Sequence, residues 1–194
     1  MPYQTPRKLE IKVVEFGDLP ARPELQTLYL YWQERRGVRA YPRWQDIDLM
    51  ALYRVASIML VKDVIDGGRD YYNRFWGSGL TRLTGFDGGH RLHSDLYKDA
   101  PEGPVTEPYE RVLASKKPVL VTRNSWFIAN HEHNNCELLH VPIGDERTSV
   151  ITHIIAVCVA IRAAPPTIAS RMAGPGKPDT PGDCLAPSLS TTCL

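Results

Sequence analysis

The segment from Val150 to Ile161 is apolar at both alternating sets of positions. Ile151, Ile155, Val157, Val159 and Ile161 fall on one set, and Ile154, Ala156, Cys158 and Ala160 on the other. Successive side chains of a β-strand point to opposite faces, so a sheet with one wet face shows polar residues on that face. This strand therefore needs a cover on both sides. Thr152 and His153 interrupt the run, which is too short to span a bilayer and reads as a buried strand. The chain opens Met-Pro-Tyr-Gln-Thr-Pro-Arg-Lys, without the apolar core of a signal peptide.

The rest of the chain offers both covers. Leu9, Ile11, Val13 and Val14 could form a short strand before Gly17, Asp18 and Pro20 break the pattern. Pro23 and Glu24 suit a first helical turn. Leu25, Leu28, Tyr29 and Trp32 then recur at helical spacing on one face, and Gly37 supplies a stop. Asp46 or Asp48 can cap a second helix whose stripe is Leu49, Leu52, Tyr53 and Ala56. The stretches 57–65 and 69–76 read as a hairpin around Asp66-Gly67-Gly68. Short helices and loops fill 77–117, with 107–115 the best helix. Three strands follow as a meander: 118–128, 136–142 and 150–161. The middle helices are expected on one face of the sheet, and the N-terminal helix or a partner subunit on the other.

From Ala163 the composition changes. Prolines and glycines crowd in with Ser and Thr, and large apolar residues nearly vanish. Such a segment cannot offset its chain entropy by burial, so 163–194 is expected to be disordered. Twenty-three basic residues face 22 acidic ones, a net charge of +1. A phosphate-gripping protein carries a clear basic excess, so nucleic acid is a poor fit as partner. Cys136, Cys158, Cys184 and Cys193 form no paired framework, which fits reduced thiols in a cytoplasmic protein.

Two strands, a helical stretch and three strands is the PAS order. The residues add to that order. Tyr31-Trp32 to Arg39, then Pro42-Arg43, Asp46 and Asp48, resembles the opening of a PAS-like family common in alphaproteobacteria. Arg74, Gly77-Ser78 and Leu83-Thr84-Gly85 continue the resemblance, as do Pro118-Val119 and Glu137-Leu138-Leu139 to Pro142-Ile143. It covers about 25–161. Leu49, where the family often has proline, and Trp76, where a smaller residue is usual, depart from it. The resemblance implies an α+β, PAS-like five-stranded antiparallel sheet with crossing short helices. The order of elements divides the chain into an N-terminal segment 1–22, a helical extension 23–56, a PAS-like core 57–162 and the tail 163–194. The resemblance also implies a stand-alone, non-catalytic sensory or regulatory module acting on a protein partner in a signalling pathway. The alternative is a sensor with a small molecule or cofactor in its cavity.

Several constellations carry candidate chemistry. Gly77-Ser78-Gly79-Leu80-Thr81-Arg82 is a broken GxGxxG without a βαβ unit and reads as a turn leaving a strand. His131, His133, Cys136 and His140 have soft ligand atoms, yet they read as a histidine-rich polar turn and no metal is assigned. Cys136 and His140 would sit roughly 13 Å apart along a strand, too far for a thiolate–imidazole pair. His90 and His93 fall where some PAS sensors hold haem, but surface loop positions are preferred. No cofactor is assigned. Arg74, Trp76, Trp126 and His140 are the candidates for lining a small-molecule cavity, against the reading that the aromatics fill the core. Leu25, Leu28, Tyr29 and Trp32 are the candidates for a homodimer contact or for packing on the sheet.

Overall fold

The computed structural model describes residues 7–100, 105–128, 130–132 and 134–161. The expected disordered tail and residues 1–6 lie outside them. Six strands form one antiparallel sheet: β1 (Leu9–Val13), β2 (Met59–Ile65), β3 (Asp70–Trp76), β4 (Val119–Asn124), β5 (Asn135–Asp145) and β6 (Val150–Ile161), in the order β1-β4-β5-β6-β2-β3. The hairpin β2–β3 and the meander β4–β5–β6 are the five strands expected. The N-terminal strand is a sixth, pairing with the outer edge of the meander from Leu9↔Arg123 to Val13↔Val119. It covers an edge that would otherwise expose unpaired backbone groups.

Helix α1 (Pro23–Arg36) starts on its proline and ends at Gly37, which has a positive φ of 56°. Its buried side chains are Leu25, Leu28, Tyr29, Tyr31 and Trp32. It packs on β5 and β6 and supplies the outer cover. The Trp32 Nε1–H donates to the Pro142 carbonyl at 2.8 Å, so even its polar atom is anchored to the sheet. Of the two roles open to this face, packing on the sheet of its own chain is the one observed.

The second helix expected after Asp46 is instead three 3₁₀ turns, Trp44–Asp46, Leu49–Leu52 and Ala56–Ile58. Asp48 does cap the middle turn, accepting from the Met50 N–H. The stripe is broken accordingly: Leu52 and Val55 are buried while Tyr53 is exposed. Eclipsed i, i+3 positions in a 3₁₀ turn cannot present an α-helical stripe.

The opposite face carries α2 (Ser78–Thr84), α3 (His93–Leu96) and α4 (Glu107–Ser115). β6 is buried without a break from Ile154 through Cys158, the signature of a strand covered twice. β4 is shorter than expected, ending at Asn124. β5 is longer, reaching Asp145 through a register shift between Ile143 and Gly144.

Candidate functional site

On the inner face, under α2–α4, alternate positions of each strand converge: Leu60 and Lys62 of β2, Val119, Val121 and Arg123 of β4, Cys136, Leu138 and His140 of β5, and Ala156 and Cys158 of β6. This grouping follows from the strand register, for example Leu60↔Ala156, Leu138↔Cys158 and Val119↔His140. Tyr97 and Tyr109 descend from the helical side, and both are buried. The enclosed space they leave is about 30 Å³, lined also by Trp76, Arg123, Cys136 and Cys158. That is room for about one water molecule. A wider, open pocket of about 460 Å³ lies outside it, walled by Phe86, Leu96, Asp99 and His131. The two share Thr84, Tyr97, Phe127 and Ile128 as common walls.

The inner face is unusually polar for a core. Lys62 is buried, its Nζ donating to Asn73 Oδ1 at 2.5 Å and lying 3.3 Å from His93 Nδ1. The same ammonium sits 5.0 Å from the centre of the Tyr109 ring, a cation–π arrangement. Burial, reinforced by the Arg123 charge, pulls its pKa down to about 7. His93 is buried, with Nε2 against the Val105 carbonyl at 3.1 Å. Burial first, and then the Lys62 charge, drive its pKa down to about 2, so it is neutral. His140, also buried, is held at about 3 by burial and by Arg123 and Lys62. Burial raises the phenols of Tyr97 and Tyr109, so they too stay neutral. Several buried atoms here have no hydrogen-bond partner among the described residues: Asn73 Nδ2, Trp76 Nε1, Arg123 Nε and His140 Nδ1. Buried polar atoms without a partner are costly.

The four candidate ligand residues do not converge. Trp76 lines the enclosed space and stacks on Phe86 at 5.9 Å. His140 lies on the same face, edge-on to Tyr109 at 5.3 Å, but behind the lining. Trp126 belongs to a separate cluster with Tyr97, Val105, Phe127 and Ile128, its ring under the Arg7 guanidinium. Arg74 faces the other way. The pairing shifts between Val61↔Phe75 and Lys62↔Asn73, leaving Arg74 as the extra residue of a β-bulge. Its guanidinium makes a two-pronged pair with Asp63, at 2.8 and 2.7 Å, on the outer face beside Trp44.

His90 is exposed, as expected, but His93 is a core residue with both ring nitrogens engaged rather than a loop position. His131 packs at Gly85 and Asn134, and no group of three metal-ligating side chains occurs among the described residues. His133 lies outside them. Gly77 is required by close approach: a Cβ there would meet the Ser57 and Ala56 carbonyl oxygens at 2.3 and 2.4 Å. The Gly77-Ser78-Gly79 step thus holds the end of β3 against the last 3₁₀ turn.

Sequence reasoning gave Lys62, Arg123 and Cys158 no place in a site. Each sits in phase with core-facing apolar residues of its strand, which is the signal that could have found them. Lys62 follows Leu60 by two, and Arg123 follows Val121 by two.

The opening motif of the resemblance has a structural meaning. Tyr31 Oη accepts from the Asp48 N–H at 2.6 Å and donates to its carbonyl at 2.9 Å. Arg39 pairs with Asp46 at 2.8 Å, and the Gly144 N–H donates to the Pro42 carbonyl at 3.0 Å. These contacts strap α1 and the following turns onto the outer face.

A hairpin and a meander closing one antiparallel sheet, with short helices over a small enclosed space, define the PAS-type sensory architecture. The chain belongs to the PAS domain family, whose model matches residues 21–158. No curated protein matches it. A solved structure of an RNA-binding light-oxygen-voltage receptor is similar at 15% identity and a TM-score of 0.44, over 80% of this chain and 39% of that one. The chain therefore spans well under half the length of that receptor. Among the described residues no helix is long and apolar enough to cross a membrane.

Proposed function

We propose that this chain is a non-catalytic cytoplasmic regulator of the alphaproteobacterial PAS-like branch, acting by contact with another protein or a second copy of itself. The observation that supports this most is the small enclosed space, about 30 Å³, between the sheet and helices. Tyr97, Tyr109 and Trp76 line that space, which is too small for a bulky cofactor. The signal is then carried by the surface. Leu30, Met50 and Tyr53 are exposed on α1 and on the turn packed beside it, and are suited to a protein contact. The balanced charge favours a protein over a nucleic acid as partner.

Native mass spectrometry of the freshly purified chain tests the reading. Subunit masses without added ligand are the expected result. A retained molecule of several hundred daltons would overturn it in favour of a second reading, a small-molecule or haem sensor. That reading draws on one observation, the open pocket of about 460 Å³ that shares four walls with the enclosed space.

A further inference from the structure

We propose that Cys136 and Cys158 are a peroxide-reactive dithiol inside the core, converted to a disulfide by hydrogen peroxide. The inference deepens the sensory reading above and rests on it for its biological use, because it names the signal.

The sheet register brings the two together. Cys136 pairs with Ala160 and Leu138 with Cys158, so the cysteines are diagonal neighbours on the inner face. Both are free and buried, and each thiol is close enough to shift the other's titration. Both line the enclosed space. At about 30 Å³ it admits a molecule near the size of water and rejects bulky thiols or disulfides. That size limit selects hydrogen peroxide as the oxidant.

The surroundings divide the labour between the sulfurs. The Arg123 guanidinium lies beside Cys136, and among the described residues no carboxylate lines the space to compete for it. Interaction with the Cys158 thiol, aided by Arg123 directly across the strand pair, holds Cys136 below the usual thiol range, while the same interaction raises Cys158. A thiolate beside a cation is the reactive form of cysteine. Cys136 is therefore the nucleophile and Cys158 the resolving thiol.

The step balances. The Cys136 thiolate attacks one peroxide oxygen and the O–O bond breaks. A sulfenic acid forms, and hydroxide leaves to take up a proton as water. The Cys158 sulfur then attacks the Cys136 sulfur. The S–O bond breaks, a second water carries off the Cys158 proton, and the disulfide closes. Two thiols are oxidised by two electrons and one peroxide is reduced to two waters. Diagonal partners usually lie about 7–8 Å apart at Cα, beyond the roughly 4.4–6.8 Å a disulfide spans. Closure therefore draws β5 and β6 together near the end of β6, which couples the oxidation to the shape of the sheet.

The test uses the full chain with Cys184→Ser and Cys193→Ser, so that only the inner pair reports. Treatment with stoichiometric hydrogen peroxide, denaturing alkylation and trypsin should yield one linked species joining the peptide 124–147 to the peptide 148–162. The Cys158→Ser variant should stop at a dimedone-trappable sulfenic acid on Cys136. Arg123→Gln should slow oxidation about tenfold, as expected for loss of a neighbouring charge, and Arg123→Lys should restore most of it. Full alkylation of both cysteines after peroxide overturns the proposal. So does oxidation no faster in the folded chain than in urea. Native mass spectrometry of the same sample separates the two readings. Unliganded subunits with inert cysteines remove only this inference, whereas a retained ligand removes the scaffold reading whatever the peroxide does.

Discussion

The two faces of the sheet are built on different physical terms. On the outer face α1 lays Leu25, Leu28, Tyr29 and Trp32 against β5 and β6, all of them buried. On the inner face the same sheet presents Lys62, Asn73, Arg123 and His140 beneath Tyr97 and Tyr109. Buried polar atoms without a partner occur there on Asn73, Trp76, Arg123 and His140, and on α1 at the Nε atoms of Arg35 and Arg36. One face is held by apolar burial. The other keeps charge and unspent hydrogen-bonding capacity in a small enclosed space. Buried groups without a partner cost free energy that apolar burial elsewhere in the fold must offset.

Replacing one tryptophan from each face is the strongest way to break this comparison. Trp32→Ala should cost about 3–5 kcal/mol, the range for truncating a fully buried aromatic. Trp76→Ala should cost clearly less, since its ring is only partly buried and its Nε1 has no partner to lose. Urea titration of the two variants measures both. Equal losses would mean that the faces do not differ in this way.

The next effect is a pH dependence confined to the inner face. Lys62 has a folded pKa near 7 against an ordinary 10.5. Between those values the unfolded chain binds more protons, so folding stability rises with pH. It gains about 1.4 kcal/mol per unit from roughly pH 7 toward 9.5, before the tyrosines titrate. The gain is complete only above the unfolded value and is lost as pH falls through the window. Lys62→Met should flatten that rise in melts run across the range. His93 and His140 give the same sign lower down. Their folded values, about 2 and 3 against 6.5, make stability fall as pH drops below about 6.5.

Gly77→Ala tests the junction between the faces. The added Cβ would press on two backbone carbonyls that cannot rotate away, so a loss of about 1–3 kcal/mol is expected by thermal or urea unfolding. The smallest change, Tyr31→Phe, removes the two hydrogen bonds to Asp48 that strap the opening motif. It should cost about 1–2 kcal/mol in the same measurement and leave peroxide chemistry on the inner face unchanged.

Much of the fold was legible. The double apolar pattern of 150–161 required two covers, and the spacing of Leu25 to Trp32 identified one of them. The site was legible only in part. Arg74 and Trp76 are two apart, and alternation alone puts them on one face; a bulge opposite Val61 and Lys62 separates them. His93 looked like a loop residue because its short helix has no periodicity to read, yet Tyr71, Tyr97 and Tyr109 enclose it.

By itself, then, the sequence determined the strands and the longer helices, their order and the need to bury both sides of the last strand, but not the 3₁₀ turns after Asp46. These follow from periodicity, which acts between residues a few positions apart. Only the tertiary structure decided that the N-terminal strand joins the sheet, that α1 closes the outer face of its own protomer, and that Cys136 meets Cys158 beside Arg123. Those outcomes depend on strand register and on one bulge. Register is set by partners distant in the chain, and a shift of one residue exchanges the two faces.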